Sequence, residues 1–166
     1  SVYNLPMDEM IEVIDHALVN DFSIAWASDV SEKGFSFRDG LALVPLDGAK
    51  IRKSGKDNKN FSDAGAAKES TVFEAPCKEK EITQEMRQLA FDNYETTDDH
   101  GMHMTGIVKD QTGKSYYIIK NSWGTDNNDC DGYFYASQAY VEYKTMDIML
   151  HKDALPKALR KKLGIK

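Results

Sequence analysis

The chain contains the stretch DDHGMHMTGIVK at residues 98–109, then DQTG at 110–113 and YYIIK at 116–120. Alternating polar and apolar residues and a richness in aromatic and β-branched side chains are typical of half-buried β-strands. The sequence Asp-Gln-Thr-Gly between them is a turn signal. The two flanking segments are therefore predicted to pair as a hairpin.

The remaining sequence predicts an α+β protein with a leading helix followed by mostly antiparallel strands. The other predicted elements are a helix over 7–18, a strand over 22–28, a strand over 41–45 at an edge or end of the sheet, a helix over 83–94, a strand over 132–135, a helical turn over 138–143 and a strand over 146–150. In the helix over 83–94, one side is predicted to carry Met86, Leu89, Ala90 and Asn93. Residues 47–70 lack a clear period and are predicted to form a long surface excursion.

Composition excludes several classes of protein. The 166 residues, 41% hydrophobic and 29% charged, fit one soluble globular domain, predicted over 1–152 with a basic tail over 153–166. A net charge of -6 argues against nucleic-acid binding. No apolar run reaches the length of a membrane span, and no signal peptide is visible. Two cysteines are too few for a disulfide framework.

Three short motifs carry a family resemblance. They are DHGM at 99–102, NSWG at 121–124 and GYF at 132–134. In this order and spacing they resemble the C-terminal half of papain-like cysteine peptidases. The segments YNLPMD at 3–8 and DVSEKG at 29–34 resemble the bleomycin hydrolase and aminopeptidase C branch, which commonly has His-Ala-Met where this chain has His-Gly-Met. The resemblance covers most of the chain and is weakest over 47–77.

The resemblance implies a catalytic role for His100 and Asn121. In such enzymes a cysteine attacks as thiolate, and the histidine stabilises it and later protonates the leaving amine. An asparagine amide orients the histidine ring, as in the Cys-His-Asn variant of the catalytic triad. By resemblance, His100 is the acid/base, Asn121 orients it, and Trp123 shields their hydrogen bond from water. The implied reaction is hydrolysis of N-terminal peptide bonds through a thioester, without cofactor or metal.

His103 is the alternative candidate for the catalytic histidine. Strand periodicity places His100, Met102 and Met104 on one face and His103 on the other. In the family, the position of His103 is usually occupied by Thr or Val. We therefore predict that His103 has a structural role.

Neither cysteine is predicted to be the nucleophile. The family's cysteine begins a helix and precedes the histidine by roughly 130–150 residues, whereas only 99 residues precede His100. Cys77 lies too close to His100 in sequence. Cys130 is flanked by Asp129 and Asp131, whose negative charge disfavours a thiolate. The nucleophile is therefore expected in an N-terminal half that lies outside this chain, and this chain alone is predicted to be inactive.

The resemblance also implies a fold and partners. The fold is the C-terminal β-rich half of the papain-like cysteine peptidase fold, an antiparallel sheet or barrel with flanking helices. The partners are a peptide substrate, the N-terminal half and further copies in a homo-oligomer, a hexamer in this branch. In that branch the C-terminal arm enters the active-site cleft. Sparse cysteines and the family favour a cytoplasmic location.

Two alternatives belong to different functional classes. A papain-fold binding module that has lost its nucleophile would share the same motifs. A calcium-binding domain is suggested by NNDCDG at 127–132, which imitates the start of an EF-hand loop. However, the twelfth position of that loop is Gln138, where a glutamate is required, and a strand rather than a helix precedes it. We therefore predict a solvated turn and no metal site.

Overall fold

The computed structural model describes residues 2–51 and 71–165. Elements within these ranges are the helices α1 (Met7–Val19), α2 (Gln84–Asp92), α3 (Gln138–Lys144) and α4 (Lys157–Lys162), a 3-10 helix (Lys152–Ala154), and the strands β1 (Ile24–Ser28), β2 (Phe35–Ser36), β3 (Leu41–Ala42), β4 (His100–Lys109), β5 (Ser115–Lys120), β6 (Tyr133–Ser137) and β7 (Thr145–Met149). The predicted α+β class is confirmed.

The strands described here form one curled sheet in the order β2-β3-β6-β5-β4-β1-β7. The pairs are antiparallel except β3 with β6, which is parallel. β4 and β5 form the predicted hairpin at the centre of the sheet. The other strands therefore lie on either side of this hairpin.

Helix α1 packs against the sheet as its periodicity predicts. Met10, Ile14, Ala17 and Leu18 are buried on one side of the helix and join the core cluster. Acidic residues in the first turn suit the positive end of the helix dipole. The same core contains apolar side chains of the central strands, among them Trp26.

Side-chain caps begin helices α2 and α3. The side chain of Thr83 accepts a hydrogen bond from the Met86 N–H at 3.2 Å, and Ser137 accepts one from the Tyr140 N–H at 3.2 Å. Such caps satisfy backbone donors that have no partner within the helix. The helices over 83–94 and 138–143 are thus confirmed, with α2 ending at Asp92 and α3 at Lys144.

The apolar residues of α2 are not all buried. Leu89 is 63% exposed, whereas Ala90 is buried. Arg87 donates hydrogen bonds to the carbonyl oxygens of Glu142 at 2.9 Å and Thr145 at 2.6 Å. These bonds turn the side of α2 that carries Arg87 and Ala90 toward α3, so Leu89 points away from it.

The short strands differ most from the prediction. The strand expected over 41–45 is shorter, and it lies between β2 and β6 rather than at a sheet edge. Pro45 lies beyond it and forms an isolated bridge with Glu79. β2 was not predicted, because two residues carry no measurable period. Of the excursion predicted over 47–70, residues 52–70 lie outside the described residues.

The C-terminal residues pack on the N-terminal helix. His16 Nδ1 lies 2.8 Å from the carbonyl oxygen of Ala154, and Lys162 pairs with Glu9 at 2.5 Å. Ala154 and Leu159 are buried. These contacts tie the C-terminal residues to α1. In the part of the chain that the structure describes, no helix has the length and apolar character needed to cross a membrane.

Trp26 provides a test of this packing. Its side chain is almost fully buried, and its indole N–H donates to Thr145 Oγ1 at 2.8 Å. Trp26→Phe should lower the free energy of unfolding by about 2–3 kcal/mol, because it removes buried apolar surface and this hydrogen bond. Urea denaturation measures the change. Met149→Ala, at a residue 72% exposed on β7, is the matched control and should change stability by less than about 0.5 kcal/mol.

Candidate active site

The central hairpin brings His100 and Asn121 together. β4 begins at His100, β5 ends one residue before Asn121, and the hairpin pairs His103 with Lys120. The Asn121 N–H then donates to the Gly132 carbonyl at 3.0 Å, which continues the pairing between β5 and β6. Both side chains thus lie at the same end of the hairpin on the same face of the sheet.

The side chains of His100 and Asn121 form a direct hydrogen bond. His100 Nε2 lies 2.8 Å from Asn121 Oδ1, and the Ser122 N–H donates to the same oxygen at 2.7 Å. Because a backbone N–H can only donate, the Asn121 atom that it meets is the amide oxygen. His100 Nε2 must then carry a proton to bond that oxygen as well.

This bond determines which ring nitrogen of His100 can do chemistry. With the proton of the neutral ring on Nε2, Nδ1 has a free lone pair and can accept a second proton. No described residue is hydrogen-bonded to Nδ1. The arrangement is an oriented imidazole that can take up and release a proton at Nδ1.

Trp123 covers this pair. Its ring stacks on the His100 ring with centroids 4.9 Å apart and planes inclined by 26°. Phe35 and Phe37 hold the indole edge-on, at centroid distances of 5.9 Å and 5.2 Å. Asn121 is buried beneath, although Trp123 itself is 49% exposed. Water is therefore kept from the His100–Asn121 bond, which strengthens it.

Sequence reasoning missed Phe35 and Phe37. Both belong to the Phe-Ser-Phe sequence at 35–37, which alternates aromatic and polar residues as a strand does. That signal is only three residues long. Gly34 allows the strand to approach its neighbour, since a Cβ there would lie 2.0 Å from the Leu43 carbonyl oxygen. Their contact with Trp123 depends on this pairing and is absent from the sequence.

The loop after Trp123 is organised by Asn128. Its amide donates to the carbonyl oxygens of Phe37 at 2.5 Å and Tyr133 at 2.9 Å, and accepts from the N–H groups of Cys130 and Gly132. These internal bonds occupy the amide that an EF-hand would offer to calcium. Among the described residues, no group of three or more His, Cys, Asp or Glu side chains is placed to hold a metal ion.

His103 and the two cysteines lie apart from this arrangement. His103 is exposed and opposite to the buried Met102 and Met104, so the predicted alternation of faces is confirmed. Cys77 and Cys130 both lie within the described ranges, and both are free thiols. Burial raises the pKa of each thiol, with a further contribution from Glu79 at Cys77 and from the flanking aspartates at Cys130. A raised pKa leaves less thiolate at neutral pH.

Comparison with known proteins decides the family. Residues 47–165 match the sequence profile of the Peptidase C1-like family. This match covers more than half of the chain and contains His100, Asn121 and Trp123. The chain belongs to the Peptidase C1-like family. The papain-like resemblance of the sequence motifs is thereby confirmed at the level of the family. No curated protein matches the chain significantly.

One solved structure has a similar fold. PepW from Lactobacillus rhamnosis superposes on 97% of this chain with a TM-score of 0.62 and 20% identity. This chain spans 30% of the PepW chain. The predicted papain-like fold class is confirmed by this likeness, which at such low identity concerns the fold alone.

Two other solved structures show weaker likeness. SERA5E from Plasmodium falciparum matches 87% of this chain and 40% of its own at a TM-score of 0.38 and 18% identity. The Amb a 11 cysteine protease of ragweed pollen matches 32% of this chain and 18% of its own at a TM-score of 0.26 and 22% identity.

The pKa shifts of the cysteines predict slow alkylation. Because both thiol pKa values are raised, the folded chain should react with iodoacetamide at pH 7 more slowly than the chain unfolded in urea. The alkylation rate of the folded chain should rise with pH, and the midpoint of this rise should lie at a higher pH than in the unfolded chain. Cys77→Ser and Cys130→Ser separate the two sites. A thiol that reacts faster in the folded state at pH 7 would contradict the prediction and identify an activated nucleophile.

Proposed function

We propose that this chain supplies the catalytic histidine and its orienting asparagine, His100 and Asn121, to a cysteine peptidase. The observation that carries the proposal is the bond from His100 Nε2 to Asn121 Oδ1. It fixes the ring orientation and leaves Nδ1 for proton transfer. Membership of the Peptidase C1-like family supports this chemistry.

The nucleophile is proposed to lie in polypeptide outside these 166 residues. Cys77 and Cys130 have raised pKa values, the opposite of what an attacking thiolate needs. In the proposed reaction, a thiolate facing His100 Nδ1 attacks the scissile carbonyl carbon. His100 then gives its Nδ1 proton to the leaving amine, and a thioester remains.

Water completes the proposed cycle. His100 Nδ1 takes a proton from water, the resulting hydroxide adds to the thioester carbonyl, and the thiolate leaves. Asn121 keeps Nε2 protonated throughout, so that only Nδ1 exchanges protons. Trp123 limits the access of water to the His100–Asn121 bond without closing the Nδ1 side.

The specific activity proposed is removal of N-terminal residues from peptides. It rests on the resemblance of HGM at 100–102, YNLPMD at 3–8 and DVSEKG at 29–34 to the bleomycin hydrolase and aminopeptidase C branch. Assembly into a homo-oligomer, a separate C-terminal arm over 153–166 and a cytoplasmic location stay predictions of the same resemblance.

The proposal is tested in the longer protein that contains this chain. His100→Ala should abolish hydrolysis of an aminoacyl fluorogenic substrate. Asn121→Ala should lower kcat by about 100-fold, since the ring loses its orientation. His103→Ala is the matched control, a histidine on the opposite face of the same strand, and should leave activity unchanged.

Two results would count against the proposal. Activity that survives His100→Ala would move the catalytic site elsewhere. A wild-type protein that hydrolyses no peptide substrate, and contains no cysteine that reacts rapidly at neutral pH, would favour a papain-fold binding module. The isolated 166-residue chain should be inactive, and hydrolysis by the pure chain would contradict an external nucleophile.

A further inference from the structure

A lysine is buried against the segment that precedes His100. Lys144, the last residue of α3, is only 2% exposed. Its ammonium group donates to the Glu95 carbonyl oxygen at 3.1 Å and to Thr96 Oγ1 at 3.0 Å, and pairs with the Glu32 carboxylate. It also lies 3.7 Å from Asp29 Oδ2. A buried cation is tolerated only when paired and hydrogen-bonded in this way.

Asp29 also connects the residues that follow β1 with the segment that precedes His100. It is 2% exposed, and its carboxylate accepts from the N–H groups of Ser31 at 2.8 Å and Thr97 at 3.2 Å. Burial raises its pKa and the neighbouring Asp99 adds to the rise, while these N–H groups and Lys144 oppose it. The charged form of Asp29 therefore depends on the partners that hold it.

Asp99 makes a third connection, directly before His100. Its carboxylate accepts from the Thr97 hydroxyl at 2.6 Å, from the Val30 N–H at 3.3 Å, and from the hydroxyl and N–H of Ser31. Although burial opposes ionisation, these hydrogen bonds lower its pKa to about 2. Asp99 therefore stays negatively charged through the neutral range.

These contacts converge on the strand position opposite His100. In the β1–β4 pair, Ser28 lies directly across from His100. The Ser28 hydroxyl donates to the Lys144 carbonyl oxygen at 2.9 Å, and the Asp29 N–H donates to it at 3.1 Å. The side chain and the main chain of Lys144 thus bind both segments that flank the histidine.

We propose that Lys144 and Asp29 are positioning residues for His100. They fix the segment over 95–99 against the end of β1, and so hold the His100 ring in contact with Asn121. The proposal rests on the proposed catalytic role of His100. Neither residue touches the reacting atoms.

The competing explanation is that the buried pair only stabilises the fold. Ionic groups are a poor choice for that purpose, because apolar residues of similar volume stabilise a core as well or better. An ammonium and a carboxylate bind particular polar atoms in a defined direction, as the Lys144 ammonium binds one backbone carbonyl oxygen and one hydroxyl, and the Asp29 carboxylate binds two backbone N–H groups. Here the carbonyl oxygen belongs to Glu95 and one of the N–H groups to Thr97, just before His100.

The test compares Lys144→Met with Tyr117→Phe in the full chain. Tyr117 is also buried, and its hydroxyl donates to Asp15 of α1 at 2.7 Å. Removing this hydroxyl perturbs the core at a place away from the 95–99 segment. The readout is the NMR signal of the His100 Nε2 proton, whose exchange with water is slowed by Asn121. Lys144→Met should abolish this protected signal, and Tyr117→Phe should retain it.

Kinetics in the longer protein provide the second readout. Lys144→Met should lower kcat by about 100-fold with KM little changed, the effect of displacing a catalytic group by roughly 1 Å. Asp29→Asn should lower kcat in the same direction by a smaller factor. Tyr117→Phe should leave both constants unchanged.

A gentler variant covers the case in which Lys144→Met does not fold. Thr96→Val removes one of the ammonium contacts at constant shape, and should speed exchange of the His100 Nε2 proton. A folded Lys144→Met variant with a protected Nε2 proton and a normal kcat would overturn the proposal. If Lys144→Met is unfolded, a Thr96→Val variant with unchanged exchange of the Nε2 proton would overturn it. If His100→Ala keeps activity while Lys144→Met loses the signal, the positioning stands and the peptidase role fails.

Discussion

The antiparallel pairing of β4 with β5 is the constraint on which the rest of the structure depends. This pair lies at the centre of the sheet, with β6 and β3 on one side and β1 and β7 on the other. Its register places His100 and Asn121 at one end of the hairpin. A slip of one residue would turn His100 toward the opposite face and separate it from the amide.

This register brings two hydrogen-bond donors to a single oxygen atom. Asn121 Oδ1 accepts from both Ser122 N–H and His100 Nε2, so the loop that follows β5 and the first residue of β4 share an acceptor. The other amide atom, Nδ2, is buried and has no hydrogen-bond partner among the described residues.

The surroundings of the pair are built from two different kinds of interaction. On one side, aromatic edges of Phe35 and Phe37 hold Trp123 over the His100 ring. On the other, the charged groups of Lys144 and Asp29 fix the chain that leads into the strand. Aromatic packing excludes water, whereas charged hydrogen bonds specify position.

The sequence by itself determined the class of fold, the helices α1, α2 and α3, the central hairpin and the side of β4 that carries His100. These features follow from local periodicity and capping chemistry, which a chain expresses over a few consecutive residues. Only the tertiary structure decided that Leu89 is exposed, that β3 lies inside the sheet, and that Lys144 is buried beside the segment before His100. Those outcomes depend on contacts between residues far apart in sequence. A single lysine at the end of a helix, or a strand of two residues, carries no periodic signal that would reveal them.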